Sequence, residues 1–229
     1  LYKHDRCACG RRLRDCPQWG SVLDHPSFPG LGPLRRTGRW TRKEIGLPRM
    51  VVSEQRRAEY ARIHDGLFEA ISSTVEADLI VDSSKNMARA IALLGASRFR
   101  VRVVHLVRDP RGFIRSTNKR NREDDRRRQF AAPLAEWTIK NGIGSTLLRR
   151  AGGDRILEVR YEDLLLRPDR TLAEIGSHVG RSFETIRTKI AEGLPFEPDH
   201  RFAGNRVSQR SEVIFDPQRI RSNRMSEPG

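Results

Sequence analysis

Residues 101–116, VRVVHLVRDPRGFIRS, decide the architecture. The first seven, 101–107, are apolar and mostly β-branched except for Arg102 and His105, the pattern of a short buried strand. Arg108 then stands at the strand tip. Asp109 is placed to cap a helix, and Pro110 suits its first turn because proline has no N–H to leave unsatisfied. The helix is expected to run through Phe113 and Ile114 to about residue 118. A strand that passes directly into a helix is the building unit of an α/β fold. It also makes an anion site, because helix N-termini present free N–H groups and a positive dipole end. Ser116 lies two turns into the helix, so Arg108 and Ser116 are candidates to grip one phosphate from two sides. Arginine suits this role through its planar, two-pronged fork. A second reading stays open, in which Arg108 only pairs with Asp109 or a neighbouring carboxylate.

Working outward, residues 54–75 carry Tyr60, Ile63, Leu67, Ile71 and Val75 at spacings of three and four, which predicts an amphipathic helix. Residues 78–82 (DLIVD) read as another short strand, followed by a helix over 86–94. The charge run 119–128 (KRNREDDRRR) reads as a solvated loop or helix end. A helix over 134–148 is weakened by Gly142 and Gly144. Residues 156–160 (ILEVR) form a third strand, with helices over 168–179 and 183–191. Residues 1–50, rich in Gly, Pro and Arg, read as loop with short helical pieces. Strands alternating with helices imply an α/β fold with an open, mostly parallel sheet flanked by helices. One domain over 1–215 is expected, with a disordered tail over 216–229. Ligands in such sheets bind beyond the carboxyl ends of the strands. That directs attention to 82–85, 108–116 and 161–163.

At the first of these ends, VDSSK (81–85) presents two hydroxyls and Lys85. Its ammonium is a candidate to stabilise charge on a leaving phosphate. The alternative is that Asp82 or Ser83 caps the next helix and Lys85 is merely solvated. At the third, Tyr161 is presented at a strand tip, where its ring can pack on a purine. Leu164, Leu165 and Leu172 read as core. Among the histidines, His64, His105 and His200 are general-base candidates by residue type alone, and His105 sits mid-strand, where a core role fits better. The three cysteines, Cys7, Cys9 and Cys16, all fall in the first 16 residues, and an odd number argues against a disulfide framework. His4, Cys7, Cys9 and Cys16 are four possible zinc ligands, but C-x-C is not the usual spacing, and Cys7 and Cys9 point to opposite sides of an extended chain. A capped turn before Pro17 and Trp19 is the favoured role, and no metal is expected.

The net charge is +15 and the basic residues are mostly arginine, with six lysines among the 44. This fits either a polyanionic partner or a bias toward arginine with the charges simply solvated. Nucleic acid is not favoured. There is no helix-turn-helix or zinc-finger pattern, aromatics are only 7%, and Glu123, Asp124 and Asp125 interrupt the charge run. The sequence has no apolar stretch long enough to span a membrane and no apolar signal core, so cytoplasm is the expected compartment.

VDSSK, VRDPRG…S (107–116) and RYEDLL-x-RP (160–168), in this order, resemble the sulfotransferases that use 3′-phosphoadenosine-5′-phosphosulfate (PAPS). The resemblance is strongest to a bacterial branch, which carries CACGRRLRDCPQW (7–19) ahead of the core and a late element corresponding to HRFAGNRVSQR (200–210). It implies a P-loop NTPase-like fold and sulfuryl transfer from PAPS to a hydroxyl or amine of a glycan, glycolipid or small metabolite. It also implies cofactor-binding roles for Arg108 and Ser116 on the 3′-phosphate and for Tyr161 near the adenine. Gly204, Asn205 and Arg210 would belong to a late loop closing on the same phosphate. Lys85 falls where related enzymes place a catalytic Lys or His, and His200 is a neighbour of the site.

Two departures stand out. The family opens with a strand and a G-x-x-R-S-G-[ST] loop whose N–H groups cradle the 5′-phosphosulfate, and no segment here matches it. The expectation is that about 40–50 residues, one strand–loop–helix unit, precede Leu1, and that this fragment alone is inactive. Arg206 stands where the branch has proline. The other readings are a polyanion-binding protein and a non-catalytic remnant.

Overall fold

The computed structural model describes residues 6–41, 53–120, 126–197, 200 and 212–218. The chain forms two compact units, residues 1–101 with 195–213, and residues 102–194 with 214–229.

The first unit is helical. Its described elements are α1 (Pro17–Asp24), α2 (Leu31–Trp40), α3 (Glu54–Val75) and α4 (Met87–Ala96). The 22-residue α3 starts where Ser53 accepts a hydrogen bond from the Arg56 N–H, and it stops at Glu76, which turns left-handed at φ 49°. The expected apolar stripe is present, but its buried members are Tyr60, Ile63, His64 and Phe68 rather than a row ending at Val75, which is exposed. Tyr60 packs with Ala88 and Ala92 of α4, and Trp40 of α2 closes over them. Small residues on α4 let the two helices approach closely.

Two polar groups share this core. Asp65 accepts from the Ser97 hydroxyl and the Arg98 N–H at 2.9 Å, satisfying a donor just beyond the end of α4. His64 donates from Nδ1 to the Tyr60 carbonyl at 2.9 Å and stacks on the Tyr60 ring at 4.0 Å. Burial, joined by the nearby Arg89 charge, drives the His64 imidazole down to about 3. It is neutral in the folded protein.

The second unit holds the sheet. Strands β1 (Val103–Val107) and β2 (Ile156–Arg160) pair in parallel, with Val103 opposite Ile156 and Val107 opposite Arg160. The connection between them is helical: α5 (Pro110–Arg120), α6 (Arg126–Thr138), a π-helical turn (Ile139–Ile143) and α7 (Gly144–Gly152). The π turn falls where Gly142 and Gly144 weaken the predicted helix, and the extra residue it accommodates is the local consequence. After β2 come α8 (Tyr161–Leu166), α9 (Pro168–Val179) and α10 (Glu184–Ala191). Gly180, at φ 72°, closes α9 in the left-handed conformation that glycine adopts without cost. The fold is thus mixed α/β with a parallel sheet flanked by helices. None of the described helices is long and apolar enough to cross a membrane.

One expected strand is absent. Residues 78–82 are irregular and largely exposed, with Val81 80% accessible, while Ile80 and the Asp82 carboxylate are partly buried. A strand exists only with a hydrogen-bonding neighbour, and no described segment pairs with this one.

Two stability measurements probe this architecture. A Cβ at Gly66 would lie 2.6 Å from the Ser27 carbonyl oxygen. Gly66→Ala should therefore destabilise by about 1–3 kcal/mol in denaturant melts, and an unchanged midpoint would show that α3 does not pack there. His64 gives a pH signature. Its folded-state pKa is depressed, so between about 6.5 and about 3 the unfolded chain binds a proton that the native one refuses. Stability should fall as pH drops through that window, by about 2 kcal/mol between pH 7 and 5 from this group. His64→Gln should flatten that part of the profile, and an unaltered slope would remove His64 from the buried core.

Candidate active site

Parallel pairing brings the carboxyl ends of β1 and β2 to the same edge of the sheet. Arg108 leaves β1 and Tyr161 leaves β2 side by side, and the Arg108 guanidinium lies over the Tyr161 ring, 5.0 Å from its centroid. Three contacts hold this edge. The Trp137 indole N–H donates to the Arg108 carbonyl at 2.7 Å. The Asp109 N–H donates to a Glu162 carboxylate oxygen at 3.0 Å, joining the two strand tips. The Asp109 side chain accepts from the Arg111 N–H at 2.8 Å, which makes it the predicted cap of α5.

The Asp109 carboxylate also takes the Arg111 guanidinium at 3.0 Å, and these bonds hold its carboxyl below the usual range. Asp109 is therefore spent on Arg111. The reading in which Arg108 pairs with Asp109 does not describe this protein. Among the described residues Arg108 has no carboxylate partner, and its Nε is buried without a hydrogen-bond acceptor. An unpartnered buried donor on a charged group is costly. Here it sits at the N-terminus of an eleven-residue helix, over the ring of Tyr161. Ser116 is exposed on α5, while the neighbouring Thr117 is buried.

Lys85 belongs to the other unit. Its segment is held by side chains rather than by a sheet. Asp82 pairs with Arg89 and accepts the Ser84 N–H at 2.9 Å. Arg89 in turn donates to the Tyr60 hydroxyl at 2.8 Å. Burial pushes the Asp82 carboxyl up, but the Arg89 charge overcomes it and holds the group below the ordinary range. Asn86, not Asp82 or Ser83, caps α4 by accepting the Arg89 N–H at 3.0 Å, and its amide reaches the Thr41 carbonyl at 2.7 Å. Between these anchors Lys85 is exposed and held at φ 59°. A non-glycine residue in that region is strained by about 1–2 kcal/mol, and such strain gathers at functional sites.

The histidines separate clearly. His64 is locked in the helical core. His105, on β1, faces Ser145 at 3.1 Å, and Ser145 in turn donates to Glu158 at 3.2 Å, with Arg149 on the same carboxylate. Burial keeps the His105 imidazole below its usual range despite Glu158. That network is internal to the sheet and the helix packed on it. His200 lies against Cys7 and Cys16 in the first unit. Gly204, Asn205 and Arg210 fall outside the described residues.

Sequence reasoning missed Trp137 and the tie from Glu162 to the Asp109 N–H. A tryptophan in a polar helix segment is the one signal that pointed to the former.

A sequence profile of the sulfotransferase family matches residues 1–185 of the chain. No curated protein sequence matches it. Among solved structures, the sulfotransferase domain from the curacin biosynthetic pathway is similar at 18% identity, covering 89% of this chain and 80% of that one, with a TM-score of 0.48. The profile match extends over most of the 229 residues, and by it the chain belongs to the sulfotransferase family.

Proposed function

We propose that this protein transfers a sulfuryl group from PAPS to a hydroxyl or amine of a glycan, glycolipid or small metabolite. One observation carries the choice of donor nucleotide. Arg108 is held at a strand tip by its backbone, is not claimed by a carboxylate among the described residues, and keeps a buried Nε in need of an acceptor. A phosphate dianion is the partner such a group fits.

In this reading Arg108 and Ser116 hold the 3′-phosphate, the first N–H groups of α5 add their partial charge, and Tyr161 lies near the adenine. PAPS would supply the sulfuryl group: its bond to the bridging phosphate oxygen would break as the acceptor oxygen or nitrogen bonds to sulfur, with PAP leaving and the acceptor proton passing to a general base. From the resemblance of the VDSSK segment, Lys85 is proposed to offset the charge that develops on that bridging oxygen, and its strained, exposed backbone supports a functional role for the residue. Most of the catalytic effect would then come from positioning and electrostatics rather than from covalent chemistry. Gly204, Asn205 and Arg210 are proposed to complete the phosphate site.

Two substitutions test this in the complete protein. Arg108→Ala should weaken binding of 3′-phosphoadenosine 5′-phosphate (PAP) about 10–100-fold by calorimetry, the scale of a lost charge-assisted bond. Unchanged affinity would remove Arg108 from the site. Lys85→Ala keeps the backbone conformation and deletes the amine, so it should lower kcat much more than it changes PAP affinity. The reverse pattern would make Lys85 a binding residue only. Retention on heparin that PAP fails to disturb, with a steep salt dependence, would instead favour a general polyanion binder.

A further inference from the structure

The segment 7–19 brings three cysteines together with a distant histidine. Arg6 and Arg12 pair as an antiparallel bridge, the Cys7 N–H donates to the Arg11 carbonyl at 2.9 Å, and the Gly10 N–H returns to the Cys7 carbonyl at 2.9 Å. Gly10, at φ 83°, makes the tight turn. The hairpin therefore removes the objection that Cys7 and Cys9 diverge, since that holds only for an extended chain. Cys16, after a short 3-10 turn, stands at the N-cap of α1 ahead of Pro17. The fourth group comes from 184 residues further on: the His200 Nδ1 lies 3.2 Å from the Cys16 sulfur and 3.8 Å from that of Cys7. Trp19 holds it there by donating its indole N–H to the His200 carbonyl at 2.6 Å.

The four ligand atoms of Cys7, Cys9, Cys16 and His200 all lie within 4.8 Å of one another. In a tetrahedral zinc site, with Zn–S about 2.3 Å and Zn–N about 2.0–2.1 Å, sulfur–sulfur edges are about 3.8 Å and sulfur–nitrogen edges about 3.5 Å. The observed sulfur–nitrogen separations straddle that value. No disulfide joins the three cysteines.

The geometry points to a structural zinc(II) site formed by Cys7, Cys9, Cys16 and His200. Four protein ligands fill the tetrahedron and leave no position for a substrate, so the metal ties His200 to the N-terminal hairpin. Binding releases the thiol protons, and the three thiolates leave the site one negative charge, which Arg6, Arg11, Arg12 and Arg14 on the same hairpin offset. His200 is then a metal ligand, its Nδ1 lone pair committed to zinc, and is not a general base. His4 is the histidine that sequence spacing suggested, and it lies outside the described residues.

The test is metal analysis of the full chain purified under reducing conditions without chelator. The expected result is one zinc per chain by plasma mass spectrometry. Replacement by cobalt(II) should give the intense visible bands of a tetrahedral thiolate site, and a chelator should lower Tm. Cys9 is exposed, so Cys9→Ser should fold while losing most of the zinc, and His200→Ala should shift the cobalt bands. Absence of stoichiometric metal together with no cobalt spectrum would overturn the site. So would a disulfide among these cysteines in the reduced preparation, an iron–sulfur spectrum, or full zinc occupancy in both variants. If either variant fails to fold, the zinc content and cobalt spectrum of the unaltered chain still decide.

Discussion

The parallel pairing of β1 with β2 is the constraint on which the candidate active site depends. Had these strands run antiparallel, Arg108 and Tyr161 would leave the sheet at opposite ends. Parallel pairing sets them side by side, and the bond from the Asp109 N–H to Glu162 locks the two tips together. A parallel pair needs a long crossover, and here that crossover is built of helices. One of those helices, α5, begins with its N–H groups at the same edge. An arginine, an aromatic ring and a positive helix end thus converge from a single topological choice.

Electrostatics then divides the arginines. The chain carries a charge of +15, and several described arginines pair with exposed carboxylates at little energetic consequence. Arg89 is different: Asp82 and the Tyr60 hydroxyl fix it beside the helical core, and it helps keep His64 neutral. Arg108 differs again, because the adjacent carboxylate is taken by Arg111. Arg89 thus has a structural role, and Arg108 is the arginine proposed to meet an anion.

Much of this was legible in the sequence, because local signals suffice where local physics decides. The α3 helix, periodic in its apolar residues, and the strand over 156–160 were readable for that reason. So were the Asp109–Pro110 helix start and the position of Arg108. Residues 78–82 were misread because their apolar character specifies burial or extension, whereas a strand also requires a neighbour. Whether Arg108 pairs with Asp109 was undecidable without seeing Arg111 fold back onto that carboxylate. The cysteine cluster was half visible. Three ligands sit within ten residues, but the fourth is far along the chain, and only the Gly10 turn and the Trp19–His200 bond bring the set together.

The central claim is that the carboxyl edge of β1 and β2 is a nucleotide 3′-phosphate site. A crystal structure of the protein with PAP tests it most directly. The account predicts the 3′-phosphate within hydrogen-bond distance of the Arg108 guanidinium and the Ser116 hydroxyl, at the N-terminus of α5. A nucleotide bound elsewhere, with Arg108 still resting on Tyr161 and unliganded, would contradict it.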